Sequence, residues 1–232
     1  LLLVFSVMAD ALPEDIVTPH HVMVRSTDGG KSWYFHRYLY FPTTVAGDAH
    51  VCAQLSDGTV LELPNNVYAV GDEEFYAPTW KSNDNGKTFS GPYDARVILP
   101  KASIETMPAM GRLLANLRFY RSIIELDNAD LLASMYGRFK GDKKYRSFLV
   151  KSTDRGETWT YLSTIAYDPE IGTESFCEPV MALLPNREIL CIMRTGSGEP
   201  LYEARSGDEG KTWSKPTPTG ANGVDPDLIV LK

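Results

Sequence analysis

Two side chains of opposite charge flank one short apolar hairpin in this sequence. Glu178 lies near the start of Phe176-Cys177-Glu178-Pro179-Val180-Met181, and Arg194 closes Ile189-Leu190-Cys191-Ile192-Met193-Arg194. Between them, Leu184-Pro185-Asn186-Arg187 puts Asn-Arg between apolar runs, a hairpin-turn signal. A three-residue turn pairs Glu178 directly with Arg194, and a two-residue turn offsets them by one. A carboxylate and a guanidinium at the end of an apolar hairpin are costly to bury unless they are paired or set in a cleft. The two are therefore either a structural ion pair at the hairpin mouth or the working groups of a site.

Other chemistry is thin. His20, His21, His36 and His50 lack the spacing of zinc ligands. Cys52, Cys177 and Cys191 make no disulfide framework. A two-residue turn at Asn186-Arg187 would put Ala182 opposite Cys191, a register that gives a Cys177–Cys191 bridge no support. All three cysteines are expected as small buried side chains. No metal and no cofactor is expected.

The elements that must position these groups are announced by a repeat. Residues 26–33, 82–89, 152–159 and 206–213 share the pattern S-x-D-x-G-x-(S/T)-(W/F). The Asp carboxylate and the hydroxyls can bond the turn backbone, and the Gly can take positive φ. The closing aromatic leads into the next strand with a large surface to bury. Asp28, Asp84, Asp154 and Asp208 are 56, 70 and 54 residues apart, the spacing of repeated supersecondary units. Before each of the last three octapeptides stands a hairpin signal, around Asp57-Gly58, Asn128-Ala129 and Asn186-Arg187. Each unit reads as strand, tight hairpin, strand, loop, strand, octapeptide, strand.

The octapeptides resemble the Asp boxes, or bacterial neuraminidase repeats, of the sialidase superfamily. Four-stranded meanders at this spacing are propeller blades. The expected fold is all-β, a β-propeller of four-stranded antiparallel blades with each octapeptide between third and fourth strands. Blade one would be partial (1–42), with full blades over 46–97, 118–168 and 175–218. Residues 97–118 read as a loop or short helix, and 221–232 as the beginning of a further strand. The whole of 1–232 is expected to be one sialidase-like propeller domain, incomplete at both ends and part of a six-bladed ring. A four-bladed ring closed by the two ends is the alternative.

The resemblance also assigns roles. Sialidases use a tyrosine nucleophile, with a glutamate as its base, an aspartate as acid/base and three arginines on the substrate carboxylate. It makes Glu178 the tyrosine's base and Arg194 one of the three arginines. The acid/base falls on Asp15, in the loop after the first strand, with Asp10 and Glu14 as rivals. Arg121-Ser122-Ile123 followed by Asp142 looks similar to the family's first-blade arginine and acid/base pair, but stands in the wrong blade, with Arg138 between them. They read as rim residues within reach of substrate. The first-blade arginine would precede Leu1, and the third arginine and the tyrosine would follow Lys232. The octapeptides lie on the outer hairpins and are structural.

Composition fits this reading. Apolar residues make up 43% and aromatic residues 11%, with 15 prolines, as suits a sheet protein with many turns. A net charge of −7 without a basic stripe argues against a nucleic-acid partner. No run of 18 apolar residues exists to span a membrane. The apolar residues 1–8 read as a strand rather than a signal-peptide core. The activity implied is that of an exo-α-sialidase acting on sialylated glycans or another carbohydrate, and a secreted or periplasmic location is expected ahead of a cytoplasmic one. The alternatives are a non-catalytic propeller that binds glycans or proteins, and a propeller glycosidase for another sugar.

Overall fold

The structure, a computed structural model, describes residues 1–7, 20–39, 50–71, 73–99, 106–109 and 112–230. The described residues contain strands and no helix. In chain order the strands are β1 (Leu2–Val7), β2 (His20–Arg25), β3 (Tyr34–Leu39), β4 (His50–Gln54), β5 (Val60–Pro64), β6 (Asn66–Ala69), β7 (Glu74–Ser82), β8 (Ser90–Ile98) and β9 (Thr106–Ala109). They continue with β10 (Arg112–Glu125), β11 (Leu131–Gly137), β12 (Arg146–Ser152), β13 (Thr158–Ala166), β14 (Cys177–Leu183), β15 (Ile189–Arg194), β16 (Pro200–Ser206) and β17 (Thr217–Asn222). Of residues 97–118, those described supply the end of β8, all of β9 and the first part of β10, and none is helical. Beyond Asn222 no strand follows among the described residues: Ile229 is 84% exposed, and a strand without a partner strand is not formed.

Neighbouring strands form antiparallel meanders: β1-β2-β3, then β4-β5-β7-β8, β10-β11-β12-β13 and β14-β15-β16-β17. The second and third are stitched together twice. Leu113 and Leu114 of β10 pair with Ala69 and Tyr68 of β6, and Thr158 to Thr160 of β13 run parallel to Arg96 to Ile98 of β8. The path β7-β6-β10-β11-β12-β13-β8 returns to β7 and closes a seven-stranded ring.

The third meander is apolar on both faces, because side chains alternate across a strand. Leu131, Ala133, Met135, Phe148 and Val150 enter the core shared with the second meander. Leu132 and Leu149 enter the core shared with the fourth, among Met181, Ile189, Cys191 and Met193. Two-sided burial is what the near-continuous apolar run of β11 specifies.

The three hairpins share one geometry. Leu55, Leu126 and Leu184 each donate N–H to the carbonyl four residues on, over 2.8–2.9 Å. The third loop residue is left-handed in each: Gly58 at φ 86°, Ala129 at 66° and Arg187 at 71°. Three residues thus turn between Leu184 and Glu188, so Met181 rather than Ala182 faces Cys191. The cysteines are free, with Cys177 and Cys191 buried and Cys52 half-buried.

Every octapeptide joins the last two strands of its meander and repeats the same bonds. The serine hydroxyl donates to the aspartate over 2.7–2.8 Å and accepts the glycine N–H over 2.8–2.9 Å. The aspartate accepts the N–H of the later Ser32, Thr88, Thr158 or Thr212 over 2.8–3.0 Å. Glycine is required twice over, by its conformation and by what it touches. A Cβ on Gly156 (φ +87°) would stand 2.9 Å from Leu61 of the second meander, and one on Gly210 (φ +81°) 2.2 Å from Leu149 of the third. The last three turns are each seated in the meander before, Gly86 against Leu2, Gly156 against Leu61 and Gly210 against Leu149. Around the third turn Trp159 is fully buried, edge-on to Phe119 at 5.7 Å, and Arg155 pairs with Glu125 and, at 2.7 Å, with Asp57.

Candidate functional site

The site is built where the first strands of the third and fourth meanders are bulged. In β14 the register slips between Cys177 and Val180, and Glu178 takes a left-handed φ of 48°. The three-residue turn would have set Glu178 opposite Arg194, but the bulge puts Cys177 there instead. Glu178 turns aside and meets Arg194 through its side chain: Nη1 of Arg194 donates to Oε1. Its Oε2 accepts the backbone N–H of Asp225 at 3.1 Å. In β10 the slip lies between Phe119 and Ile123, with Arg121 at φ 47°. Non-glycine residues in this conformation store strain of about 1–3 kcal/mol, which persists where surrounding structure holds it.

Arg194 is held by two acids. Its Nη2 donates to Oε2 of Glu174, whose backbone is fixed on both sides by 3.0 Å bonds to the Thr195 carbonyl and the Tyr145 N–H. On the side of Glu178 that meets Asp225, the Tyr120 hydroxyl donates to Oδ1 of Asp225 at 2.5 Å. Arg121 lies 3.7 Å from carboxylate oxygens of both Asp225 and Asp227. Tyr136 sits edge-on to Tyr120 at 5.8 Å and to Tyr145 at 5.4 Å, and the Arg138 guanidinium covers Tyr145 at 5.3 Å.

Burial pushes the Glu178 carboxyl above the ordinary glutamate value, against the Asp225 N–H and the Arg194 charge, which pull it down. The carboxylates of Asp225 and Glu174 push the same way as burial. Burial also raises Tyr120, helped by its bond to Asp225, and raises Tyr136, helped by the charge of Glu178. A carboxyl that is 8% exposed, on a left-handed backbone and raised by burial is suited to general acid or base work. Among the described residues no group of three His, Cys, Asp or Glu side chains could hold a metal ion.

The structure brings Glu178 and Arg194 together as the hairpin spacing predicts. It adds Arg121 through Asp225, and leaves Arg138 one aromatic ring further out. Asp142 belongs elsewhere, in a two-pronged pair with Arg146 at 2.7 and 2.9 Å. Asp15, with Asp10 and Glu14, lies outside the described residues. Sequence reasoning missed Glu174, Tyr120 and Asp225. Glu174 had one signal, its place four residues before Glu178. Asp225 had another, an Asp-Pro step after the last strand. Tyr120 had none, being one aromatic among many.

Fold and site together define an all-β repeat protein with a cluster of paired acids and arginines at the bulges of two of its strands. The sequence matches the BNR repeat-like domain over residues 51–228, and the chain belongs to that family, as its resemblance to bacterial neuraminidase repeat proteins implies. No curated protein matches it. Among solved structures it is similar to a Dyadobacter fermentans protein of unknown function, at 24% identity and a TM-score of 0.72, covering 96% of this chain and 66% of that one. It is similar to the Hadza microbial sialidase Hz136, at 16% identity and a TM-score of 0.64, covering 92% and 43%. The Penicillium chrysogenum α-L-arabinanase complexed with arabinobiose gives 16% identity and a TM-score of 0.62, covering 95% and 65%. The chain thus spans less than two thirds of these three proteins' lengths, and at such identities the likeness is one of fold.

Proposed function

We propose that this chain carries the working carboxyl of a glycoside hydrolase of the sialidase-like propeller kind, and that this carboxyl is Glu178. The observation behind the reading is the state of Glu178: buried, on a strained bulge, raised by burial, and clamped between Arg194 and the Asp225 N–H. A structural ion pair needs neither the strain nor the raised carboxyl. The antiparallel meanders are then blades, the octapeptides are Asp boxes at their outer turns, and a larger ring completes the cleft.

The sugar proposed is a terminal sialic acid released from glycoconjugates, in a secreted or periplasmic setting. Glu178 serves as base, Arg194 and Arg121 supply guanidinium groups for the substrate carboxylate, and Asp15 supplies the second carboxyl. One observation favours a second reading, a neutral sugar such as arabinofuranose: Glu174 already occupies Nη2 of Arg194, so a substrate carboxylate must displace it. The test assays full-length protein on an aryl α-sialoside and an aryl α-L-arabinofuranoside, with Glu178→Gln beside wild type. Cleavage of the sialoside, lost in Glu178→Gln, supports the first reading; cleavage of the arabinofuranoside alone replaces it with the second. No cleavage of either leaves a binding propeller.

A further inference from the structure

Each of the two bulges leaves a backbone carbonyl off the strand ladder, and one serine bonds both. Ser134 of β11 is fully buried, and Ala133 and Met135 on either side of it face Ile123 and Phe119 of β10, so it stands against the bulge of β10. Its hydroxyl lies 2.7 Å from the Tyr120 carbonyl and 2.8 Å from the Pro179 carbonyl, sharing one proton between two oxygens. One carbonyl belongs to the residue that bonds Asp225, and the other to the residue after Glu178. Beside it, the Ser122 hydroxyl accepts the Met181 N–H at 2.7 Å, a second tie between β10 and β14. The two strands are neighbours without a ladder between them.

We infer that Ser134 is a positioning residue for Glu178: its hydroxyl locks the two facing bulges together and so fixes Glu178 against Arg194, the Asp225 N–H and the Tyr120–Asp225 pair. Buried carbonyls of this kind are expensive to leave unpaired, so the serine specifies one arrangement of the junction. A packing role alone would need only a small side chain. The inference rests on the reading of Glu178 as the working carboxyl, but its test does not depend on turnover.

Protein labelled with ¹³C at glutamate carboxyls is titrated by NMR, the Glu178 signal being the one lost in Glu178→Gln. In Ser134→Ala the junction loosens, water reaches the carboxyl, and its midpoint falls by about one pH unit toward the ordinary value. Ser134→Thr keeps the hydroxyl and holds the midpoint near wild type. Ser163→Ala is the control: that buried serine bonds the Gly210 carbonyl at 2.5 Å and the Trp213 indole at 3.1 Å, both in the fourth octapeptide and neither at a bulge, and its loss leaves Glu178 unmoved. An unchanged midpoint in folded Ser134→Ala overturns the inference, as does an equal shift in Ser163→Ala. Should Ser134→Ala not fold, Ser122→Ala cuts the other tie and is read in the same way. On a cleaved glycoside, Ser134→Ala lowers kcat and shifts its pH profile with KM nearly kept. A wild type that cleaves none ends the functional reading while the titration still decides the role of Ser134.

Discussion

The octapeptide turns, outer in the proposed blades, and the bulges of β10 and β14, inner in them, are different solutions to building a backbone outside regular ladders. At the outer turns, one octapeptide satisfies itself four times with its own serine, aspartate and threonine or serine, and glycine takes its tightest conformation. At the inner bulges, Arg121 and Glu178 take left-handed φ without being glycine, and the freed backbone groups are served by serines from a neighbouring strand. The turns recur, and three of them also hold a non-glycine residue at left-handed φ (Asn85, Arg155 and Glu209) within their own bonds. The bulges do not share a motif, and one of them holds a buried carboxyl. Local self-sufficiency marks scaffold here, and dependence on the neighbour marks the site.

The largest effect expected separates activity from stability at Glu178. Glu178→Gln keeps shape but removes the proton acceptor, so turnover on a cleaved glycoside falls by about 10²–10⁴-fold. The same change removes a charge whose burial is unfavourable on balance, so the melting temperature at neutral pH holds or rises. A large loss of melting temperature would make Glu178 a structural partner of Arg194 and erase the contrast between the two regions.

At the outer turns the order is reversed. Trp159→Ala empties a fully buried aromatic site and costs about 3–5 kcal/mol, read by denaturant titration. Trp33 holds the same place in the first octapeptide but is 42% exposed, and Trp33→Ala costs about 1 kcal/mol or less. The surviving folded Trp159→Ala protein keeps near-normal kinetics. Equal costs at both positions would show that the octapeptide, and not its seat in the preceding meander, supplies the stability. Between the two stands Asp154→Ala, which removes acceptors for the Ser152 hydroxyl and the Thr158 N–H at about 0.5–1.5 kcal/mol each.

This contrast also explains what the sequence made legible. The turns were readable because each is a closed local problem: serine, aspartate and glycine at fixed offsets bond one another within eight residues. The two-faced third meander was readable as an apolar run. The partnership of Glu178 with Arg194 followed from hairpin spacing, although the bulge that realises it did not, since a bulge is decided by what packs across it. Tyr120 and Asp225 are 105 residues apart and meet only because two strands are laced side by side. The strand over 106–109 and the first part of the one over 112–125 were read as loop or helix because Pro100, Pro108 and Gly111 punctuate 97–118, while pairing of β10 with β6 and β9 overrides that local signal.

The smallest effect expected is in the pH dependence of stability, where the two regions carry opposite signs. Hydrogen bonds from the Thr212 N–H and hydroxyl and from the Ser206 hydroxyl hold the Asp208 carboxyl at about 2. Asp28 and Asp84 are lowered in the same way by their own turns. A carboxyl depressed in the folded state contributes stability above its unfolded value of about 3.9, and loses it as pH falls toward the folded value. The advantage of wild type over Asp208→Asn should therefore be constant above about pH 5 and shrink between about pH 4 and 2. Glu178 is raised, so its folded form holds the proton longer than the unfolded chain does. Its contribution is present below the unfolded glutamate value of about 4.3 and is lost as pH rises through the folded one. Relative to wild type, Glu178→Gln should gain stability as pH climbs through that window and hold the gain above it. Melting curves of the three proteins from about pH 2 to 8 make the check; parallel curves would mean that neither carboxyl is linked to folding as its surroundings require.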